Sequence, residues 1–383
     1  DALPMLSGHE DLLDHLVEYL GADGVSFPLL ESVGARGLRA AAANRIAGPA
    51  LATMTRAQVA GMARSFIAGA NAAEALAVIR RLRARGMTFT LDILGEVTVS
   101  EAEALAYQRQ YLELLDALAT AAHRWPAMPA LDSAAGEDVP RLNLSLKLSA
   151  LYSQFEPADP EGTAAVLRER LRPILDRAKA AGAFINIDME HSAVKATTLR
   201  VARDLLLEDA YRDWPHLGLV LQAYVRDAEQ DARDLLAVAV ARGTPITIRL
   251  VKGAYWDSET ILARQRGWPS PVYTRKHETD AAFERLTALL LDHAPLVRLA
   301  IASHNVRSIA AAIVAAEERG LPPDALEFQM LYGMGDQLKH AVTTRHHRLR
   351  VYTPCGALLP GMAYLVRRLL ENTANTSFLR QGF

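Results

Sequence analysis

Arg367 and Arg368 stand side by side in AYLVRRLLENTANTSF, flanked by Leu365, Val366, Leu369 and Leu370. Neither has an obviously solvated face, so the two guanidinium groups must meet something anionic, or water. Taken without context, such a pair is more often two surface arginines whose stems lie on apolar neighbours while their heads reach solvent. Three further charges lie inside apolar runs: Lys147 in SLKLSA, Asp188 in NIDME and Arg249 in TIRLV. Charges in such runs are rarely buried unless paired. They are expected to pair with one another or with a ligand.

The elements that position these residues alternate. Runs rich in Val, Ile and Leu cover 88–96, 141–150, 183–191, 217–225, 245–253, 297–305, 326–335 and 349–356. Between them lie helix starts: a capping box at Ser100–Glu103, an N-cap with proline at Asp159-Pro160, and a cap at Asp227. Eight strands alternating with helices over about 290 residues is the arithmetic of an α/β (β/α)₈ barrel, although a doubly wound sheet would alternate in the same way. In a barrel the C-terminal strand ends build the active site. Here those ends carry Asp92 and Glu96, Lys147, Asp188 and Glu190, Gln222 and Tyr224, Arg249 and Lys252, His304 and Asn305, Gln329, and Tyr352. Residues 1–87 read as helical, with 1–55 a lead-in, arm or linker and 56–87 packing on a barrel of 88–383; 121–140 reads as a loop.

Composition removes several classes of function. The 383 residues are 50% hydrophobic with a net charge of -2, which allows a large core and gives no basic stripe for nucleic acid. No apolar run is long enough for a transmembrane helix, and no signal peptide opens the chain. The single cysteine, Cys355, excludes an internal disulfide and provides no cysteine cluster for a metal. An opening Asp1 in place of Met suggests a fragment of a larger protein.

The strings LDILGE, LSLKLSAL, INIDMEH, LQAYVRD, IRLVKGAYWDSE, VYTRK, ASHN, EFQMLYGMGD and YLVRRLLENTANTSF, in this order, closely resemble proline dehydrogenase. The resemblance is to the proline dehydrogenase domain of bifunctional proline utilization A proteins and covers roughly residues 60–380. It implies a distorted (β/α)₈ barrel whose last helix lies over the mouth. It also implies FAD as cofactor, L-proline as substrate, Δ1-pyrroline-5-carboxylate as product and a membrane quinone as electron acceptor. The implied setting is cytoplasmic, peripheral at the inner membrane, with an aldehyde dehydrogenase domain in a longer chain and no nucleic acid bound by this part.

The same resemblance implies roles. Arg367, Arg368 and Lys147 would hold the proline carboxylate, Asp188 would partner Lys147, and Glu96 and Glu371 would fix the arginine forks. Tyr352 and Leu250 would wall the substrate ring, with Tyr352 excluding ring-hydroxylated proline. Arg249 would lie near flavin N5. Gln222, Val251, Gly253, Ala254, Tyr255 and Trp256 would contact the flavin, and Thr274, His304, Asn305, Gln329, Ser377 and Phe378 would complete the FAD shell. Asp188, Tyr352, Arg368 and Glu371 would share in both tasks.

The pattern departs from the family at His191, where a second acid is usual, at Cys355, and in a shorter loop after Trp256. A related flavin barrel such as methylenetetrahydrofolate reductase would keep the cofactor but leave RRLLEN without a use. A sensing module would bind without turnover.

Overall fold

The computed structural model describes residues 64–95, 98–134 and 136–357, together with Thr53, Gly61, Tyr364, Leu365 and Arg368. The chain divides into two compact units, Ile67–Gly356 and a second made of Asp1–Phe66 with Ala357–Phe383. The helix expected over the barrel mouth falls in the second unit and, apart from Tyr364, Leu365 and Arg368, lies outside the described residues, as does most of the lead-in.

Ile67–Gly356 holds a closed barrel of eight parallel strands: β1 Thr88–Ile93, β2 Leu142–Leu146, β3 Ala183–Ile187, β4 Leu217–Gln222, β5 Ile246–Val251, β6 Val297–Ala302, β7 Glu327–Leu331 and β8 Arg348–Cys355. Each strand pairs with its sequence neighbour and β8 closes on β1, which excludes the doubly wound sheet. Around it run α1 Ala72–Ala84, α2 Glu101–Ala122, α3 Pro160–Ala180, α4 Ser192–Leu207, α5 Ala228–Arg242, α6 Trp256–Arg266, α7 Lys276–Leu291, α8 Val306–Glu317 and α9 Asp336–Thr343.

The helix starts hold with changes of detail. Asp159 accepts the Gly162 N–H at 2.9 Å and Pro160 opens α3. Ser100 accepts from the Glu103 N–H, but the Glu103 carboxylate turns back to Val99 rather than Ser100. Asp227 begins α5 without a cap bond because its carboxylate is taken by Lys195 at 2.6 Å.

Side chains alternate along a strand, and here the two faces differ in chemistry. Leu142, Leu144 and Leu146, Ile185 and Ile187, and Ile246, Ile248 and Leu250 are fully buried in the apolar core between strands and helices. Many residues of the opposite parity, which line the interior, are polar, with Phe184, Val220 and Ala300 among them as apolar members. Thr90 Oγ1 is 2.9 Å from Ser145 Oγ, and Arg249 on β5 donates to that Ser145 on β2 at 2.9 Å. Barrel interiors are usually filled by branched apolar side chains. This one also holds hydrogen-bonded polar groups, beside the apolar Phe184, Val220 and Ala300.

The lower interior is closed by a second polar group. Arg350 grips Glu327 through two bonds of 2.7 Å each, and Gln329 donates to Glu327 at 2.7 Å. Arg348 reaches from there to the carbonyls of Leu131 and Ser133. Those carbonyls lie in 121–140, where a loop is expected; the structure instead has a turn of helix at Pro129–Asp132 and a small hairpin, Ser133–Ala134 with Glu137–Asp138. Ion pairs order it: Asp132 takes nearby Arg141 and the distant Arg83, and Glu137 takes the distant Arg298. The distant partners leave no local signal.

Burial pushes the Glu327 carboxyl up, but Arg350 and Arg348 hold it at about 2. Its stabilisation is therefore complete above the ordinary value of 4.5 and is lost as pH falls toward 2. Glu327→Gln leaves two buried guanidinium groups without their anion and should cost about 3–5 kcal/mol of unfolding free energy in urea at neutral pH. The gap between variant and parent should narrow in acid. A loss of only a few tenths of a kcal/mol at neutral pH would show that the lower cluster is not a structural ion pair.

Candidate active site

At the C-terminal mouth the ends of β1, β2, β3, β5 and β8 converge on one hydrogen-bonded cluster. Lys147 donates to Asp92 Oδ2 at 2.8 Å and to Tyr352 Oη at 3.2 Å, and its Nζ is 3.5 Å from Asp188 Oδ2. The Tyr352 hydroxyl donates to Asp188 Oδ2 at 2.7 Å. Arg249 Nη1 donates to Asp188 Oδ1 at 2.6 Å while its Nη2 is held by Ser145, and Asn186 adds a bond to the same Oδ1 at 3.1 Å. Both cations also face the Tyr352 ring, with Arg249 Cζ 5.4 Å and Lys147 Nζ 5.9 Å from its centroid.

Asp92, Lys147, Asp188 and Arg249 are all at most 7% exposed. Four charges at that depth persist only because two positive and two negative groups cancel. The alignment of β1 with β2 explains the pairing. Asp92 lies opposite Ser145, two residues before Lys147, so both side chains enter the interior from adjacent strands. The expected pairing of Lys147 with Asp188 is present at 3.5 Å, but the nearer anion is Asp92 at 2.8 Å, and Asp188 is shared with Arg249, Tyr352 and Asn186.

Burial pushes the Asp92 carboxyl up to about 6; Lys147 pulls against this and the neighbouring Asp188 adds to it. Burial, with Asp188 and Asp92 close by, also raises the Tyr352 hydroxyl well above its ordinary range, so it remains a donor to Asp188.

Around this cluster the rim residues fall into groups. Gln222, at the end of β4, is buried, and its Oε1 meets no partner among the described residues; Arg249 Nε and Asp92 Oδ1 are also unmet there. Gly253 has φ +131°, and a Cβ there would stand 2.5 Å from the Tyr224 ring, so only glycine fits. Val251 is half-buried, Ala254 exposed and Tyr255 buried, and Trp256 donates its indole N–H to Tyr273 O at 2.8 Å. Thr274 is exposed beside that loop. His304 Nε2 accepts the Leu331 N–H at 3.2 Å, and Asn305 caps α8 through Ser308.

Some predicted residues are not brought to the cluster. Gln329 lies lower, bound to Glu327. Leu250 follows Arg249 on the strand and so faces the other way, into the barrel–helix core. Glu96, Arg367, Glu371, Ser377 and Phe378 lie outside the described residues. In the second unit, the Arg368 guanidinium stacks 5.1 Å from the Tyr364 ring, one helical turn away.

Two positions carry more than the sequence reading gave them. Asp92 is seen there as a strand-end acid without a role, although a lone charge in TFTLDI is the same signal that marks Lys147. Ser145, the seat of Arg249, is silent in sequence because a buried serine in a strand is common.

Comparison with known proteins adds the family. A proline dehydrogenase family model matches residues 75–381, and a proline utilization A N-terminal domain model matches residues 1–66. The chain belongs to the proline dehydrogenase family. It is 34% identical over 328 residues to the bifunctional protein PutA of Escherichia coli, covering 84% of this chain and 24% of that protein. Proline dehydrogenase 1 of Bacillus subtilis is 29% identical, with 84% of this chain and 90% of that one aligned. A solved structure of proline utilization A from Bdellovibrio bacteriovorus, inactivated by N-propargylglycine, superposes with a TM-score of 0.86 at 39% identity, covering 99% of this chain and 43% of that one. The chain thus spans about a quarter of the curated PutA protein and under half of that solved chain.

Within this proline dehydrogenase barrel the Asp92–Lys147 pair is testable. With its folded value raised, Asp92 contributes stability below its ordinary 3.8 and loses it as pH climbs through 6. Lys147→Met removes the pull downward, so the Asp92 midpoint followed by ¹³C NMR should move further above 6. A midpoint unchanged or lowered would exclude Lys147 as its counter-ion.

Proposed function

We propose that this chain binds FAD and oxidises L-proline to Δ1-pyrroline-5-carboxylate, passing electrons to a membrane quinone. The observation that carries this reading is Arg249, a buried guanidinium fixed by Asp188 and Ser145 at the barrel mouth with its Nε still unmet among the described residues. A fixed cation at that place suits a cofactor that gains negative charge on reduction.

The residues present fit a flavin. Gln222 Oε1 is a buried acceptor with no protein donor among the described residues, which a ring N–H would satisfy. Gly253, whose missing Cβ makes room for the Tyr224 ring, opens the stretch Ala254, Tyr255 and Trp256 that would wall the flavin. When bound, FAD would accept a hydride from the proline Cδ as the C–N double bond forms and the nitrogen gives up its proton, which we assign to water.

The chain's own residues do the rest. Arg249 presents its charge where the electrons arrive, and Asp188 prevents it from turning away. Lys147 would share the proline carboxylate with Arg367 and Arg368; Tyr352, bonded to Asp188, is held where it would crowd a hydroxylated ring. Thr274, His304, Asn305, Ser377 and Phe378 remain proposed contacts to the rest of FAD. By the family resemblance we place the quinone contact at the membrane surface, on the cytoplasmic side; no helix among the described residues is long and apolar enough to cross a membrane. We also assign this chain to the proline-oxidising part of a bifunctional protein whose aldehyde dehydrogenase part consumes the product.

Anaerobic L-proline should bleach the visible band of the bound flavin, and D-proline should leave it unchanged. A band that L-proline leaves untouched would favour a sensing module, and absence of any flavin would remove the proposal. Arg368→Met should raise the KM for proline by about thirty-fold or more, the effect of removing one member of a buried charge pair; an unchanged KM would remove Arg368 from the substrate site.

A further inference from the structure

Two buried carboxylates above the cluster take no part in the reaction proposed here. Glu190 and Glu259 are each only 5% exposed. Glu259 lies in the first turn of α6, yet its bonds go to a different element. It accepts the Ser192 N–H at 2.6 Å and the Ser192 hydroxyl at 2.6 Å, and lies 3.7 Å from His191 Nδ1.

The start of α4 needs such a partner. Its N-cap is His191, which makes no side-chain cap bond, so the first N–H groups of the helix lack the usual local acceptor. Glu259 provides it from another helix, and a negative charge at a helix N-terminus is favoured by the dipole as well. The His191 ring in turn packs on Tyr255 at 4.2 Å between centroids, so the contact returns to the residue that opens α6. Burial pushes the Glu259 carboxyl up, but His191 and Ser192 hold it below its ordinary value. It is an anion where it stands.

Glu190 makes the same kind of link on the other side. It accepts the Ser149 N–H at 3.1 Å and the Ser149 hydroxyl, while Ser149 O accepts from the Thr98 N–H and hydroxyl. The loops after β1, β2, β3 and β5 are thereby joined in a row. The loop after β3 carries Asp188 at its start, and the stretch after β5 carries Gly253 to Trp256.

We infer that Glu259 is a positioning residue which caps α4 from α6 and so locks the Asp188–Ser192 loop and the Gly253–Trp256 stretch into one rigid rim. Its effect on the cofactor rests on the reading above; the mechanical tie does not.

The test uses the full chain as Glu259→Ala and Glu259→Gln. Amide exchange followed by mass spectrometry should rise in both 188–194 and 253–258 for Ala, and less for Gln, whose carboxamide oxygen can still accept from Ser192. Exchange that rises on one side alone, or on neither, would overturn the tie. FAD affinity, measured by titrating the apoprotein, should fall about ten-fold or more in Ala and be largely restored in Gln, as for loss of a hydrogen bond to a charged group. Parent-like affinity in Ala with both segments loosened would overturn the link to the cofactor. If the unaltered protein binds no FAD, the proposed function fails while the exchange result still decides the tie.

Discussion

Two carboxylates and two cations buried in the mouth of the barrel form the constraint on which the rest depends. Asp92, Lys147, Asp188 and Arg249 could not be buried singly, and none can be removed without leaving a charge uncompensated. Tyr352 links the two pairs, donating to Asp188 and accepting from Lys147. The groups stand at the ends of five different strands, so closure and register of the barrel set most of their mutual positions. The interior below continues the same chemistry, with Ser145 seating Arg249 and Glu327 neutralising two arginines. The site and the fold share one network.

Most of the barrel was legible from periodicity. Seven of the eight apolar runs contain their strand, each longer than the strand because it continues into the first loop residues; the eighth, 349–356, begins one residue after its strand, Arg348–Cys355. What was not legible is the inward face. A strand read as LNLSL or TFTLDI displays its leucines, and those pack outward on helices; the small polar residues between them line the interior. The hairpin at Ser133–Asp138 was hidden for a related reason, since its order comes from Arg83, Arg298 and Arg348, far away in sequence.

The charged residues of the site were legible as anomalies, whereas their partnerships were not. Lys147, Asp188 and Arg249 each break an apolar run, and the structure joins all three. Register decides that Lys147 meets Asp92 first, and register is a property of two strands that neither states alone. Leu250 shows the limit of carrying a role over by adjacency: beside Arg249 in sequence, it faces the opposite way. His191, read as a departure in place of an acid, turns out to stand at a helix start that Glu259 caps from elsewhere.

The charge balance also bears on how a substrate carboxylate would be held. With Asp92 ionised the cluster is neutral and offers an approaching anion no net attraction, and Lys147 already donates to Asp92 and Tyr352. Attraction must then come from cations outside the cluster, which is the part proposed for Arg367 and Arg368. Protonation of Asp92, raised to about 6, would leave the cluster with one positive charge in excess and release Lys147 from its nearest anion. An arriving carboxylate does the opposite, adding negative charge beside Asp92 and favouring its protonated form. Anion binding at this mouth and proton uptake by Asp92 therefore promote each other, and a binding constant measured at one pH describes only one of the two charge states of the cluster.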